Sequence, residues 1–196
     1  MIILGLDIAT TTGFAWYDAN VQSLSSIKTG LMKAEGESPE EKAASLADQL
    51  RIMLKDQRPD FVSIEEPLRN VKTFTKTIQT LHGPRKIQTI NPNQMLLPGL
   101  IGGAVGIISA YRIPWQTIPS STWRRFFFGP GFKPPIKIKE KEGEDPVEEK
   151  LWKRAAIDRC HVLRITVKNA DAAEAVGIAM AGKACQRFKS LQTRAA

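Results

Sequence analysis

Acidic residues stand at three places in the sequence where a regular element ends or begins. Asp7 closes the apolar segment MIILGLD, Glu65 and Glu66 close DFVSIEE, and Asp171 and Glu174 open a helical segment three residues apart. Carboxylates gathered at one point would repel one another by several kcal/mol unless a cation neutralised them. Oxygen ligands of this kind favour Mg²⁺ or Mn²⁺, and two such ions ~4 Å apart stabilise an in-line phosphodiester displacement. The acids therefore indicate metal-dependent phosphodiester hydrolysis.

Each placement also has an explanation that involves no chemistry. Acids in the first turn of a helix, such as Asp171 and Glu174, are favoured by the helix dipole whatever the function. Glu65 and Glu66 precede Pro67 and could mark only the end of a strand. Asp7 is harder to explain in this way, because an acid that closes a buried strand is costly without a partner. The three placements together carry the hypothesis, and none carries it alone.

Other chemistry has weaker support in the sequence. Cys160 and His161 lack the spacing of a zinc site, and Cys160 is better explained as a small core residue. No GxSxG motif of a serine hydrolase occurs, and the glycines between positions 99 and 106 lack the Lys-Ser/Thr of a P-loop. The segment GLDIATTTG also resembles the first phosphate loop of actin-like and sugar-kinase-type ATPases. Those proteins need a second duplicated domain, for which 196 residues leave no room.

The elements that would position the acids follow a β-β-β-α-β order. Apolar and alternating patterns predict strands, and Ser38 followed by Pro39 predicts a helix start. The predicted strands are Met1–Ile8, Gly13–Asp18, Leu24–Met32 and Asp60–Glu65, with the helix running from Pro39 to about Lys55.

The second half of the chain is predicted to be mainly helical. Polarity predicts a loop or short helix over Glu66–Gln88, and the composition of Gly129–Pro146 indicates a mobile insert. The other predicted elements are a helix over Asn93–Arg112, a strand over Ile113–Ile118, a short helix capped by Ser120 or Ser121, a helix over Val147–Val162, and a helix capped by Asn169 that runs to about Phe188.

Composition and charge predict a soluble intracellular protein with an anionic partner. The chain is 42% hydrophobic and 24% charged, which is the globular range. Its apolar stretch Leu96–Tyr111 contains Pro98 and is shorter than the ~20 residues of a membrane span. The N-terminus lacks the basic segment of a signal peptide, and two cysteines, Cys160 and Cys185, fit a reduced compartment.

The basic residues are segregated along the chain. The net charge is +8, and Pro67–Lys139 contains eleven basic residues and no acid. Such segregation favours a surface that binds a polyanion, since each phosphate contact releases counterions. The basic residues of this segment are Arg69, Lys72, Lys76, Arg85, Lys86, Arg112, Arg124, Arg125, Lys133, Lys137 and Lys139.

Several motifs resemble those of the RuvC-type Holliday junction resolvases of the RNase H-like superfamily. They are GLDIATTTG, VSIEEPL, GLIGGAVGII, PSSTWRR and NADAAEAVGIAMA, in that order along the chain. The resemblance implies an α/β fold with a mixed five-stranded sheet flanked by helices in a single domain. That domain would cover residues 1–188, with a flexible insert at 129–146 and a basic tail at 189–196.

The resemblance also implies roles for individual residues. The metal-binding and catalytic acids would be Asp7, Glu65, Asp171 and Glu174, with Glu66 as a possible helper of Glu65. Lys150, which with Glu149 would open the penultimate helix, matches a lysine near the scissile phosphate. Two positions depart from the family, because Glu174 replaces an aspartate and Leu68 replaces a base-stacking aromatic for which Phe74 is a candidate substitute.

The activity implied by the resemblance is cleavage of branched DNA, chiefly four-way junctions. Mg²⁺ would be the cofactor, with Mn²⁺ able to substitute, and the products would carry a 5′-phosphate and a 3′-hydroxyl. A homodimer is implied, because symmetric cutting of two strands needs two sites related by a two-fold axis. The location would be the cytoplasm of a bacterium or phage host. The residues expected to contact DNA are Arg69, Lys72, Phe74, Lys76, Arg85, Lys86, Arg124 and Arg125.

A protein of the same fold that binds nucleic acid without cutting it, or with another specificity, remains the alternative. The departures at Leu68 and Glu174 are the sequence features that favour it.

Overall fold

A mixed five-stranded sheet forms the centre of the molecule, with strands in the order β3-β2-β1-β4-β7. The structure is a computed structural model and describes residues 1–67, 73–80, 83–90, 93–139 and 147–195. The five strands are β1 (Ile2–Asp7), β2 (Thr11–Asp18), β3 (Lys28–Lys33), β4 (Phe61–Glu65) and β7 (Trp115–Ile118). The α/β class and the five-stranded sheet predicted from the sequence are confirmed.

Strand direction brings two of the predicted acids to one edge of this sheet. β1 runs antiparallel to β2 and parallel to β4, and β4 runs parallel to β7. In the β1–β4 ladder Leu6 stands opposite Ile64, so the next residues, Asp7 and Glu65, end neighbouring strands side by side. The carboxyl ends of parallel strands meet at the same edge, where α/β folds place their ligands.

Helices cover both faces of the sheet. The helices are α1 (Pro39–Asp56), α2 (Asn93–Ala110), α3 (Ser120–Phe128), α4 (Trp152–Val162), α5 (Ala170–Gly182) and α6 (Gln186–Ala195). Leu4, Leu6 and Ile64 point to a core shared with α1 and α2. Ile3 and Phe61 point to the opposite core, which α3, α4, α5 and α6 close. The alternation along β1 and β4 therefore separates the two cores.

Two helices begin with caps that are readable in the sequence. The Ser38 hydroxyl accepts a hydrogen bond from the Glu41 N–H, and the Glu41 carboxylate accepts one from the Ser38 N–H, which makes a capping box at α1. At α5 the Asn169 side chain accepts from the Ala172 N–H at 2.9 Å. Both predicted starts are confirmed.

The loop or short helix predicted for Glu66–Gln88 is wrong. This region contains the antiparallel strands β5 (Thr73–Thr80) and β6 (Gly83–Ile90), which pair along their whole length. In the sequence TFTKTIQT a threonine recurs at every second position from Thr73 to Thr77, and β-branched residues favour a ladder. We call this pair of strands the basic ribbon, because it carries Lys76, Arg85 and Lys86.

The helix predicted from Val147 begins later than expected. Val147–Lys150 forms β9, which pairs with β8 (Ile136–Lys139), and α4 starts at Trp152. Glu149 and Lys150 therefore belong to a strand and do not open the penultimate helix. Glu149 stands opposite Lys137, a cross-strand pair of opposite charges that favours the ladder. Residues 140–146 of the predicted insert lie outside the described residues.

Smaller differences concern the ends of elements. The third predicted strand is a 3₁₀ turn at Leu24–Ser26 followed by β3, and α3 is preceded by Pro119, with no side-chain cap from Ser120 or Ser121. The helix predicted to reach Phe188 ends at Gly182, and the start of the predicted tail lies in α6. Across the described ranges, none of the helices combines the length and apolar character that crossing a membrane would require.

Candidate active site

Three of the predicted acids lie together at the bottom of a cleft. Oxygen atoms from Asp7, Asp171 and Glu174 all lie within 4.8 Å of one another. The cleft has a volume of about 930 Å³ and is bordered by the ends of β1 and β4, by α2 and α3, and by the β9–α4 connection. Residues separated by more than 160 positions in the chain thus meet because α5 packs across β1 and β2.

Close packing at a glycine positions α5 over the strand end. Gly13 pairs with Asp7 across the β1–β2 ladder. A β-carbon built at Gly13 would overlap the main-chain carbonyl of Asp171, so the first turn of α5 rests directly on the backbone of β2. Asn169 caps that turn and also donates from Nδ2 to Oδ2 of Asp171 at 3.2 Å. The missing side chain at Gly13 and the Asn169 cap therefore allow α5 to place Asp171 and Glu174 beside Asp7.

Glu65 borders the three-acid cluster and is held from the other side. Its Oε1 accepts a hydrogen bond from the Trp123 indole N–H at 3.0 Å and another from the Ser120 hydroxyl. Its charge nevertheless raises the pKa of both Asp7 and Glu174, so the carboxylate is close to the cluster. Trp123 is fully buried, which makes it a rigid support for Glu65.

Ionisation in the cluster is unfavourable for the protein alone. Burial, followed by the charges of Glu174 and Glu65, raises the pKa of Asp7 to about 8. Burial and the charge of Glu65 raise the pKa of Glu174 to about 7, against the opposing effects of Lys153 and Arg124. A site that resists losing its protons in this way gains the most from a bound cation.

The donor set fits a hard divalent cation. Asp7, Asp171 and Glu174 offer only carboxylate oxygens, which suit Mg²⁺ or Mn²⁺ better than zinc or copper. Glu65 adds a neighbouring carboxylate, and the cleft that contains these acids is open to solvent. The residues present therefore fit a divalent ion of the kind that the sequence predicts.

Two cations lie at the edge of the acidic cluster. Nζ of Lys153 lies 2.8 Å from Oδ1 of Asp171, and this contact raises the pKa of the lysine. A guanidinium nitrogen of Arg124 lies 3.9 Å from Oε1 of Glu174. The Lys153 side chain is 68% exposed, so it can move to another anion at small cost. The sequence placed Arg124 among DNA contacts and did not single out Lys153, whose position depends on where α4 begins.

Lys150 lies at the cleft without a described contact to the acids. It ends β9, is exposed, and lines the cleft together with Glu66. The phosphate-binding role implied for it by resemblance stays a prediction. Lys153, the second residue of α4, contacts the acidic cluster through Asp171.

The residues predicted to bind DNA fall into three groups. Lys76, Arg85 and Lys86 are exposed on the basic ribbon, and the β5–β6 register places Lys76 and Arg85 on one face and Lys86 on the other. Arg124 and Arg125 lie on α3, where Arg124 borders the acids and Arg125 is exposed. Phe74 also belongs to the basic ribbon. The third group, Arg69 and Lys72, lies outside the described residues, as does Leu68, the position that departs from the family.

Solved structures of known proteins share this arrangement of elements. RuvC of Thermus thermophilus matches with a TM-score of 0.58 and 15% identity, over 98% of this chain and 97% of that protein. Sequence comparison alone finds no relative, since neither a protein-family model nor a curated protein matches. The chain has a RuvC-like, RNase H-like fold.

Two further structures share the RuvC-like fold. T. thermophilus RuvC in complex with Holliday junction substrate matches with a TM-score of 0.59 and 13% identity, over 98% of this chain and 96% of that one. The yeast mitochondrial Holliday junction resolvase matches with a TM-score of 0.52 and 9% identity, over 98% of this chain and 82% of that one. The RuvC-like fold thus extends over nearly the whole chain.

Proposed function

We propose that this protein is a divalent-metal-dependent endonuclease that cuts branched DNA, with four-way junctions as its substrate. The observation that carries the proposal is the cluster of Asp7, Asp171 and Glu174 within 4.8 Å, in an open cleft at the carboxyl ends of parallel strands. The RuvC-like fold and a structural neighbour bound to Holliday junction DNA support the choice of substrate.

The acids would hold Mg²⁺, or Mn²⁺ in its place. When bound, such ions supply positive charge at the attacking and leaving oxygens of the phosphodiester and promote ionisation of the attacking water. Asp7, Asp171 and Glu174 are the proposed ligands, with Glu65 as a fourth. The hydrogen bonds of Ser120 and Trp123 to Glu65 would keep that carboxylate oriented toward the site.

Lys153 and Arg124 would neutralise negative charge on the phosphate of the substrate. Without a ligand, Lys153 contacts Asp171 and Arg124 lies near Glu174. With cations held by the acids, the same side chains would be free to donate to the non-bridging oxygens of a phosphate in the cleft. Donors placed where negative charge develops lower the barrier because they need no reorganisation during the reaction.

The basic ribbon would extend the DNA-binding surface beyond the cleft. The described chain follows the cleft wall through Glu66 and Pro67 before the basic ribbon begins at Thr73. Lys76, Arg85 and Lys86 are exposed there. Side chains of this kind contact backbone phosphates, and such contacts carry no information about the base sequence. Such a surface suits a substrate recognised by its branched shape.

Resolution of a junction also requires two cuts, and we propose a homodimer that supplies two identical sites. A mixed dimer with one Asp7→Asn subunit should nick the junction once and leave the second strand intact. A chain that sediments as a monomer on DNA and still makes paired cuts would contradict the dimer.

Cleavage of a labelled four-way junction in Mg²⁺ tests the function directly. Asp7→Asn and Glu65→Gln should abolish cutting while retaining or tightening junction binding, because each removes negative charge beside the phosphate. A linear duplex of the same sequence measures the preference for branched DNA. Added EDTA should stop the reaction, and Mn²⁺ should restore it.

Asp48→Asn and Glu40→Gln are matched controls, since both acids lie on exposed positions of α1 away from the cleft. Both should cut like the wild type. If all of these proteins, including the wild type, bind the junction and none of them cuts it, the non-catalytic alternative is favoured. Cutting by Asp7→Asn at the wild-type rate would reject the site.

A further inference from the structure

A second cavity adjoins the cleft on the side of α3. It has a volume of about 600 Å³, within the range of small-molecule sites, and shares Ser120, Arg124 and Trp152 with the cleft. Its remaining walls come from Ser121 and Arg125 of α3 and from the loop 129–132. Arg124, which lies 3.9 Å from Glu174, thus belongs to the walls of both cavities.

Aromatic rings line the second cavity and its base. Phe132 stacks on Phe128, with ring centroids 4.6 Å apart and planes inclined by 11°. Trp152 packs against both, at 5.7 Å from Phe128 and 6.2 Å from Phe132. Phe132 stays 41% exposed although it belongs to this stack. The aromatic stack therefore includes a ring that is partly exposed to solvent.

Cationic groups lie beside these rings. The Arg124 guanidinium lies between the indoles of Trp123 and Trp152, at 5.3 Å and 4.6 Å from their centroids. Its Nε is buried and lacks a hydrogen-bond partner among the described residues. Arg125, on the next position of α3, also lines the cavity. The aromatic rings would suit a planar ring in the occupant, and the two arginines would suit an anion beside that ring.

We propose that the second cavity binds an unstacked nucleobase of the DNA strand whose phosphate occupies the active-site cleft. The base would continue the Phe128–Phe132 stack, and Arg124 and Arg125 would lie near the flanking phosphates. This inference rests on the proposed function and adds to it a contact with a base next to the cut. Base–aromatic stacking accepts any base but favours strands that are already unpaired, as at a branch point.

A thermodynamic cycle between protein and DNA tests this contact. Junctions that carry a single abasic residue, at each nucleotide around the branch in turn, are bound in EDTA by the wild type and by Phe132→Leu. The leucine keeps apolar volume against Phe128 but removes the ring. On intact DNA the variant should bind about tenfold more weakly, the loss expected for one stacked base.

At one nucleotide position the abasic residue should weaken wild-type binding by a similar factor and leave Phe132→Leu unaffected. Such non-additivity is the signature of two groups in contact. Phe132→Trp retains a ring and should restore the coupling. Phe126→Leu is the matched control, because Phe126 is 47% exposed on α3, the helix that precedes the Phe132 loop, but does not line the second cavity, and it should show no coupling at any position.

Additive losses at every position, or intact-DNA binding by Phe132→Leu equal to wild type, would overturn the base site. The proposed function fails separately, if the wild type binds junctions with this coupling but does not cut them in Mg²⁺. A wild type that binds no branched DNA at all would reject both.

Discussion

Gly13 lies directly beneath the first turn of α5, where a β-carbon would overlap the main-chain carbonyl of Asp171. The same glycine pairs with Asp7 across the β1–β2 ladder. The distance between the two halves of the acidic cluster therefore depends on the absence of one side chain.

Replacing Gly13 by alanine should separate Asp171 from Asp7 and reduce cleavage. Overpacking of this kind costs about 1–3 kcal/mol of unfolding free energy. Metal affinity should fall with activity, because the ligands no longer converge. Calorimetric titration with Mn²⁺ and chemical denaturation measure the two effects. Gly102→Ala is the control, since a β-carbon there meets nothing within 4 Å and alanine favours the helix. Equal metal binding by Gly13→Ala and wild type would contradict this role.

Stability without divalent ions should fall as the pH rises through the range in which the acids ionise. Asp7 has a pKa near 8 in the fold and an ordinary value near 4 when unfolded, so the folded state holds more protons between these limits. The contribution of Asp7 to the free energy of unfolding is fully present below about pH 4, and it is lost as the pH rises through about 8. In EDTA, Asp7→Asn should become more stable than wild type as the pH increases.

Mg²⁺ should reverse this order, because it stabilises only the ionised cluster. Thermal unfolding at several pH values, with and without Mg²⁺, measures both effects, and Glu40→Gln, at an exposed position of α1, should follow the wild type throughout. If the stability of the wild type and of Asp7→Asn changes with pH in the same way in EDTA, the acids do not repel one another in the fold.

Lys153 should matter more for the chemical step than Lys150. Lys153→Gln should lower the cleavage rate about 10²-fold, the usual loss for one donor to developing negative charge, with junction affinity changed far less. Lys153→Arg should recover part of the rate. Single-turnover cleavage with saturating protein separates the rate from the affinity. A larger loss in Lys150→Gln than in Lys153→Gln would return the phosphate role to Lys150.

The basic ribbon should contribute to affinity through salt-dependent phosphate contacts. Each phosphate contact that is lost reduces the slope of log affinity against log salt concentration by about 0.9. Lys76→Ala and Arg85→Ala should each reduce the slope accordingly and weaken binding to all branched sequences alike. Lys55→Ala is a suitable control, because α1 ends beside the opposite edge of the sheet, where β4 begins. An unchanged slope in both ribbon variants would exclude the basic ribbon from the interface.

Local sequence patterns were sufficient to predict the strands that end in Asp7 and Glu65 and the helix that carries Asp171 in its first turn. A buried apolar run that closes on an acid, or an asparagine cap before a helix, involves neighbouring residues only. The basic ribbon was missed because lysine and arginine interrupt its one partly apolar face, which carries Ile78 and Ile87, so no continuous apolar side marks the alternation. The late start of α4 was missed because β9 exists only through pairing with β8.

The amino-acid sequence by itself determined which residues could carry the chemistry, since charge, chain order and short-range propensities are properties of the chain. Tertiary structure alone decided that Lys153 contacts Asp171, that Ser120 and Trp123 hold Glu65, and that Phe132 completes an aromatic stack beside the cleft. Those contacts join distant segments, and the packing of α3, α4 and α5 against one side of the sheet brings them within reach.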